Sequence, residues 1–162
     1  MPLNVSDLPG SFDSEHMRFM EQAFLEAEKA FERNEVPVGA VIVQGSRIIA
    51  RGHNQVEMLS DPTAHAEMIA LTAAFEYTNE KYLNDCRMYV TLEPCPMCAG
   101  ALVWAKLGEL YIAAQDEKSG ACGSLFNIAS NTQLNHRIPT HYGLLEKDSE
   151  DLLKRFFASK RA

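Results

Sequence analysis

Four residues in two short segments have the types and the spacing of a catalytic metal site. His65 and Glu67 lie two positions apart in the first segment. Cys95 and Cys98 lie three positions apart in the second, so both sulfurs face one side of the first turn of a helix. A catalytic zinc takes three nitrogen, oxygen or sulfur ligands from the protein and keeps a fourth position for water. The sequence therefore predicts that His65, Cys95 and Cys98 bind Zn²⁺.

Glu67 has the position of an acid–base residue beside that metal. It lies two residues after His65, close enough for its carboxylate to reach a water on the metal without being a ligand itself. Zinc lowers the pKa of such a water toward about 7. A neighbouring carboxylate can take the water proton and deliver it to a departing group. We therefore predict that Glu67 is the catalytic residue of a hydrolytic reaction.

Two other interpretations of the cysteine pair stay open. A structural zinc needs four protein ligands, for which Cys86 is the best spare thiol, and the chain would then be a non-catalytic, zinc-stabilised interaction domain. A thioredoxin-type redox pair follows the first strand of a βαβ unit, whereas this pair follows a later predicted strand. Glu67 discriminates between these interpretations and catalysis, because a structural site has no need of an acid at that position.

Length and composition describe one domain without a membrane span. The chain has 162 residues, and no apolar run approaches the 18 residues that a span requires. The first ten residues lack the basic and apolar parts of a signal peptide, so we expect a cytoplasmic protein. The cytoplasm is reducing, which favours metal binding over disulfides for the close cysteine pair.

The charge is acidic overall but unevenly distributed. The net charge is −7, which taken alone argues against a nucleic-acid partner. Residues 1–36 carry much of the excess, with eight acidic and three basic side chains. The last nine residues carry Lys154, Arg155, Lys160 and Arg161 and no acid. A local basic patch is therefore expected within an acidic protein.

Apolar periodicity predicts alternating helices and strands. Residues 1–13 are predicted to be a loose arm, and residues 14–162 to be one domain. The predicted segments are a helix that follows a cap at Asp13 or Ser14, a hairpin over 38–50, a helix from Pro62 to about Phe75, a strand over 88–92, a helix over 95–105, a strand over 110–114, an irregular stretch over 115–140, a strand over 142–145 and a helix over 149–159. This order predicts an α/β sheet with helices packed on its faces.

The two chemical motifs resemble the signature of a known superfamily. His-x-Glu followed by Pro-Cys-x-x-Cys is the pattern of the cytidine and deoxycytidylate deaminases. From about residue 14 to the C-terminus the sequence is also similar to the bacterial tRNA-specific adenosine deaminases. The segments that carry this similarity are Glu35–Val41, Asp61–Glu67, Tyr89–Ala101, Asp116–Ser124, Asn135–Arg137 and Arg155–Phe157.

The resemblance implies a fold, a reaction and partners. The fold would be a single-domain, cytidine-deaminase-like α/β fold of three layers, with a central mixed β-sheet and helices on both faces. The reaction would be zinc-dependent hydrolytic deamination of adenosine to inosine at the wobble position of a tRNA anticodon. The enzyme would be a homodimer with one zinc per subunit.

The resemblance also implies further substrate-binding residues. Asn54 would hydrogen-bond a flipped base, and Val38 would help to form the wall of the pocket. Asp116 and Lys118 would lie near the rim where RNA binds. The C-terminal helix, with Arg155, Phe156 and Phe157, would meet the anticodon loop, because aromatic and basic side chains commonly bind unpaired bases.

A small-base enzyme remains the main alternative. Bacterial guanine deaminases have a very similar Glu-Pro-Cys-Pro-Met-Cys segment and a nearby Trp-Ala pair, which Trp104 and Ala105 match here. The stretch after Ala114 and the C-terminal tail resemble the tRNA enzymes more closely. Four other histidines have no partner at a regular spacing and receive no catalytic role, although His53 adjoins Asn54 and is a candidate for the pocket lining. They are His16, His53, His136 and His141.

Overall fold

The computed structural model describes residues 3–4 and 10–161, and a six-stranded mixed β-sheet forms its centre. The strands are β1 (Leu3–Asn4), β2 (Gly39–Gln44), β3 (Arg47–His53), β4 (Cys86–Leu92), β5 (Glu109–Ala114) and β6 (Thr140–Tyr142). Their order in the sheet is β1-β6-β5-β4-β2-β3. β2 runs antiparallel to both of its neighbours, and the other pairs are parallel. Because β3, β4 and β5 therefore run in the same direction, the loops that follow them emerge at one edge.

Helices cover both faces of this sheet. They are α1 (Gly10–Glu32), α2 (Val56–Leu59), α3 (Ala66–Thr78), α4 (Pro96–Trp104) and α5 (Glu146–Arg161). α3 and α4 pack on one face and α1 on the other. α5 lies beside α1, where the rings of Phe31 and Phe156 meet edge to face at 6.2 Å. The predicted three-layer α/β fold with a central mixed sheet is thus confirmed.

Alternation along the strands divides the apolar residues between two cores. In β2, Ala40 and Ile42 belong to the core beneath α3 and α4, whereas Val41 and Val43 belong to the core beneath α1. This is the period of two that a strand covered on both faces requires. Nearly every position of β2 is therefore apolar, which explains why the sequence shows a continuous run there rather than an alternating one.

Gly52 lets α3 approach the sheet closely. A Cβ at this position of β3 would lie 2.4 Å from the carbonyl oxygen of Ala66 and 2.8 Å from the backbone nitrogen of Ala70. Both neighbours are backbone atoms, so they cannot rotate away as a side chain would. The absence of a side chain at residue 52 thus fixes the height of the first turn of α3 above the sheet.

Most predicted elements are present, with shifted bounds. α1 begins at Gly10 rather than after Asp13, and Leu3–Asn4 pairs with β6, so the prediction of a loose arm over residues 1–13 is wrong for these parts. The rest of that arm lies outside the described residues. The last strand lies at Thr140–Tyr142, two residues earlier than predicted, and α5 is longer than predicted at both ends. Among the described residues, no helix is both long and apolar enough to cross a membrane.

The predicted helix start at Pro62 is also wrong. The carboxylate of Asp61 accepts hydrogen bonds from the backbone N–H and the hydroxyl of Thr63, at 2.8 and 2.7 Å, which stabilises a turn rather than a helix. α3 starts only at Ala66, with His65 as its N-cap residue. The turn therefore places His65 at the N-terminal end of α3, immediately before its first turn.

Replacing Gly52 tests this close approach. Gly52→Ala is expected to lower the free energy of unfolding by about 1–3 kcal/mol, because the added methyl group overlaps backbone atoms of α3. Gly100→Ala in α4 is the matched control, since a Cβ there meets nothing within 4 Å. The control should be neutral or stabilising by about 0.5–1 kcal/mol. Denaturant unfolding of both variants measures the difference, and equal stabilities would contradict this account of Gly52.

Candidate active site

A cavity of about 770 Å³ opens at the edge where β3, β4 and β5 end. Ligand sites of open α/β sheets commonly occur at the carboxyl ends of the strands, where the loops leave room between them. Seven of the residues predicted from the sequence line this cavity. They are Val38, Asn54, His65, Glu67, Cys95, Asp116 and Phe156. The remaining predicted ligand, Cys98, is fully buried, and its sulfur contacts Nδ1 of His65.

The three predicted metal ligands meet at one point. The ligand atoms of His65, Cys95 and Cys98 lie within 4.8 Å of one another. The Nδ1 atom of His65 is 3.6 Å from the sulfur of Cys95 and 3.5 Å from that of Cys98. Tetrahedral coordination with Zn–S near 2.3 Å and Zn–N near 2.0–2.1 Å separates nitrogen and sulfur by about 3.6 Å. The residues present therefore fit a zinc ion with three protein ligands.

Helix N-termini position these ligands. His65 is the N-cap residue of α3, and Cys95 is the N-cap residue of α4, whose first residue is Pro96. The backbone of both N-cap residues is extended, so each side chain projects from the end of its helix. A hydrogen bond with Cys98 lowers the pKa of the Cys95 thiol to about 5. The same bond and burial raise the pKa of Cys98. The pair thus holds a thiolate readily, as metal binding requires.

Glu67 is a buried carboxyl group beside the ligands. Its residue is 4% exposed, although it lines the cavity. Burial raises the pKa of Glu67 to about 7, because the ionised form is poorly solvated there. A carboxyl group with such a pKa both accepts and releases a proton near neutrality, which suits general acid–base chemistry. The described residues offer His65, Cys95 and Cys98 as the group that could hold a metal, with Glu67 outside it.

A second buried carboxylate, Glu35, fixes the loop that carries Asn54. Glu35 is 2% exposed, and its two oxygens accept hydrogen bonds from the backbone N–H groups of Glu57 and Met58 at 2.9 and 2.8 Å. These donors belong to the first turn of α2, a short helix that the sequence analysis missed. Asn54 in turn donates to the carbonyl of Val36 and accepts from the N–H of Val56. Its side chain therefore has a fixed orientation at the cavity.

A third buried carboxylate, Glu93, holds the loop that follows β5. Glu93 is 4% exposed and accepts hydrogen bonds from the backbone N–H groups of Asp116, Cys122 and Ser124, at 3.1, 2.9 and 3.1 Å. A Cβ at Gly120 would lie 2.4 Å from the Glu93 carboxylate, so this loop closes tightly around it. The sequence alone predicts no role for Glu93, although it stands two residues before Cys95. A charged residue next to a ligand motif was the available signal.

The predicted RNA-binding residues divide into two groups. Asp116 and Phe156 line the cavity, whereas Lys118, Arg155 and Phe157 do not. Asp116 uses one carboxylate oxygen to accept the N–H groups of Lys118 and Ser119, so part of its function is to shape its own loop. Phe157 is 43% exposed, and the guanidinium of Arg155 lies 5.1 Å from the ring centre of Phe31.

Two basic residues outside the predicted substrate-binding set also belong to the cavity. Arg33 and Lys160 both line it, the first just beyond the end of α1 and the second in the last turn of α5. Lys160 belongs to the basic patch that the sequence predicts near the C-terminus. Its Nζ atom lies 5.4 Å from the centre of the Phe156 ring, which places a cation and an aromatic ring together at the rim.

Comparison with known proteins assigns this arrangement to a class. Residues 13–114 match the family model described as "Cytidine and deoxycytidylate deaminase zinc-binding region". That range contains β2 to β5, the three metal-binding side chains and Glu67. The chain therefore belongs to the cytidine and deoxycytidylate deaminase family.

Within that family the chain is similar to enzymes that modify tRNA. It is 50% identical to the tRNA-specific adenosine deaminase of Aquifex aeolicus (strain VF5) over 143 residues, which cover 88% of this chain and 94% of that protein. A solved structure from a study of A-to-I editing by tRNA:A34 deaminases at the wobble position of transfer RNA is 43% identical, with a TM-score of 0.80, and the match covers 83% of this chain and 98% of the other. The guanine deaminase of Bacillus subtilis is more distant, at 32% identity and a TM-score of 0.60 over 90% of this chain and 93% of that one.

Removal of the thiols tests the metal site. The purified protein is expected to contain about one zinc per chain, as a site with three protein ligands requires. Cys95→Ala/Cys98→Ala should lose it, whereas Cys86→Ala, which removes a buried thiol elsewhere, should retain it. Elemental analysis of the three proteins measures the metal directly. Full zinc content in the double variant, or none in the wild type, would count against these ligands.

Proposed function

We propose that this chain is a zinc-dependent deaminase that converts adenosine to inosine at the wobble position of a tRNA anticodon. The observation that carries the proposal is the convergence of a His-Cys-Cys group with a buried glutamate in one cavity. This arrangement supplies a hydrolytic centre, and the similarity to tRNA-specific adenosine deaminases, up to 50% identity, supports the substrate.

His65, Cys95 and Cys98 would hold the zinc. When bound, zinc supplies Lewis-acid activation of water, whose pKa it lowers toward about 7. The reaction forms a C–O bond at C6 of adenine, breaks the C–N bond to the exocyclic amino group and releases ammonia. Glu67 would take one proton from the water and pass it to the ring nitrogen. It would then take the remaining proton from the new C6 hydroxyl group and deliver it to the departing amine, which leaves as ammonia.

The other lining residues would bind and orient the base. Asn54 keeps one amide N–H beyond the bond that it donates to Val36, and this N–H can donate to a purine nitrogen. Val38 provides an apolar wall for the flat face of the ring. Because Asn54 is held by Val36 and Val56, little side-chain freedom is lost when a base binds. An anticodon-loop base is already unpaired, so its entry into the cavity costs less than extraction from a duplex.

The rim of the cavity suits a substrate larger than a base. Phe156, Lys160 and Arg33 line the cavity near the C-terminal ends of α1 and α5, whereas the metal ligands come from the N-terminal ends of α3 and α4. A stacking aromatic and two cations are the groups that bind unpaired, phosphate-linked nucleotides.

A guanine deaminase is the second candidate, which the 32% identity to the enzyme of Bacillus subtilis favours.

We also propose a homodimer of single-domain subunits that acts in the cytoplasm, where tRNA is available. Large apolar side chains remain exposed on this chain, and among the residues whose burial is described Trp104, at the end of α4, is the most exposed of them, at 79%. Leu125 and Phe126, in the loop held by Glu93, are about half exposed. Aromatic residues left open to solvent in this way are typical of surfaces that a partner covers.

Glu67→Ala tests the proton transfer. The variant should keep its fold and its zinc, because the three ligands remain, but kcat should fall by about 10²–10⁴-fold, as removal of a general acid–base group does. Glu76→Gln, on an exposed position of the same helix, is the control and should retain full turnover. Near-normal kcat with Glu67→Ala would show that the role given to Glu67 is wrong. An inactive wild type with full zinc content would favour the non-catalytic interaction domain.

Ammonia release from three substrates tests the substrate class. We expect release from an anticodon stem-loop with an unmodified wobble adenosine, and little from free adenosine or guanine, because the rim residues bind parts that only the loop possesses. Mass spectrometry of the stem-loop should show inosine at the wobble position. Rapid release from guanine, with none from the stem-loop, would replace this proposal with guanine deamination.

A further inference from the structure

Arg33, His53 and Glu26 form a chain of polar contacts that leads from the cavity into the protein. Arg33 lines the cavity, and its Nη1 atom lies 3.4 Å from Nε2 of His53. The other ring nitrogen of His53, Nδ1, lies 3.4 Å from Oε1 of Glu26. None of these three side chains belongs to the predicted zinc site. His53 immediately precedes Asn54, so the chain adjoins the residue assigned to base binding.

The chemistry of the three groups gives the chain a direction. A guanidinium can only donate, so Nε2 of His53 must accept from Arg33. The proton of the neutral imidazole is then on Nδ1, from which it is donated to the carboxylate of Glu26. Glu26 is 4% exposed and His53 is 8% exposed, so both lie inside the protein. Lys29, one turn after Glu26 in α1, pairs with the second oxygen of that carboxylate.

The backbone of Arg33 is fixed as well. The N–H of Glu35 donates to the carbonyl of Ala30 at 2.9 Å, and the N–H of Asn34 donates to that of Phe31 at 3.1 Å. Asn34 has a φ of 63°, and these features together form a Schellman motif that ends α1. Arg33 is therefore held at its backbone by the helix end and at its tip by His53.

The guanidinium nevertheless keeps donors for a ligand. It has five N–H groups, and His53 takes one of them. Within the part of the chain that the structure describes, no carboxylate lies within 4.0 Å of it. Arg33 is exposed, so its unused donors are accessible to a ligand. A guanidinium that a hydrogen bond anchors at the rim of a cavity can bind an oxyanion in a bidentate manner, which a lysine does less well.

We propose that Arg33 binds a backbone phosphate of the RNA next to the nucleotide whose base enters the cavity, and that His53 and Glu26 position it. The proposal rests on the proposed tRNA substrate. A base that enters this cavity leaves its phosphodiesters outside, at the rim where Arg33 and Lys160 lie. A free purine base has no phosphate, so Arg33 contributes to binding of the polymer and not of the base. A positioned arginine also helps a chain with a net charge of −7 to bind a polyanion.

Arg33→Gln tests the phosphate contact. With an anticodon stem-loop, KM should rise about 3–10-fold while kcat changes little, because the contact is remote from the reacting atoms. The plot of log(kcat/KM) against log[salt] has a negative slope, and this slope should become less steep by about 0.7, the value for one phosphate contact on a single strand. Arg47→Gln is the matched control: Arg47 is exposed, bonds to Tyr77 and does not line the cavity. It removes the same charge and should change neither quantity.

Glu26→Gln tests the positioning. It should raise KM by less than Arg33→Gln does and should add nothing when both changes are combined, because Glu26 acts through Arg33. Arg33→Lys should restore the salt slope but only part of the affinity. Fluorescence anisotropy of a labelled stem-loop, measured in the Glu67→Ala background, gives the same comparison for Kd without turnover. Zinc content and thermal unfolding should match the wild type throughout.

The outcomes separate the two levels of the proposal. If the wild type deaminates the stem-loop but Arg33→Gln behaves like Arg47→Gln in KM, Kd and salt slope, the phosphate contact is wrong and the proposed function stands. Suppose that Arg33→Gln weakens binding, and that Glu26→Gln weakens it by the same factor in the wild type and in the Arg33→Gln variant. The positioning role of Glu26 is then wrong. If the wild type leaves the stem-loop unchanged and acts on guanine, the proposed function fails, and the phosphate contact with it.

Discussion

Two helices that begin at the same edge of one sheet have to present their first residues to a common point. β3 and β4 run in the same direction, and the segments that follow them lead to the N-cap residues His65 and Cys95. The close packing at Gly52 sets the position of α3, and Pro96 starts α4 directly after Cys95. Because a metal tolerates only small errors in ligand distance, the spacing of these elements determines whether the centre exists at all.

Buried carboxylates organise the walls around that centre. An unpaired carboxylate in a protein interior is strongly unfavourable, so each must be compensated locally. Glu35 and Glu93 obtain this compensation from backbone N–H groups of the loops that they hold. Glu26 obtains it from Lys29 and His53 instead. Burial raises the pKa of Glu67 to about 7, so this carboxyl group can bind and release a proton near neutrality.

The features that could be predicted from the sequence are those with a local pattern of residue types. His65, Cys95 and Cys98 could be selected because spacing within a turn and ligand chemistry are visible in the sequence, and the structure brings their ligand atoms together. The α/β order follows from apolar periodicity in the same way. The chain from Glu26 through His53 to Arg33 could not be predicted, because His53 lies on β3 and only the tertiary fold places it between Glu26 of α1 and Arg33 at the end of α1. The same applies to Glu93 and its partners after β5.

The loops around the cavity are attached through their main chains. Glu35 and Glu93 contact mostly amide groups, which every residue except proline carries, and only a few positions, such as Gly120, are restricted by size. The side chains of these loops can therefore change over evolutionary time without loss of the attachment. In an architecture of this kind, substitutions in the loops can alter which substrate binds while the residues that carry out the reaction stay the same. New substrates can thus be acquired by point substitution.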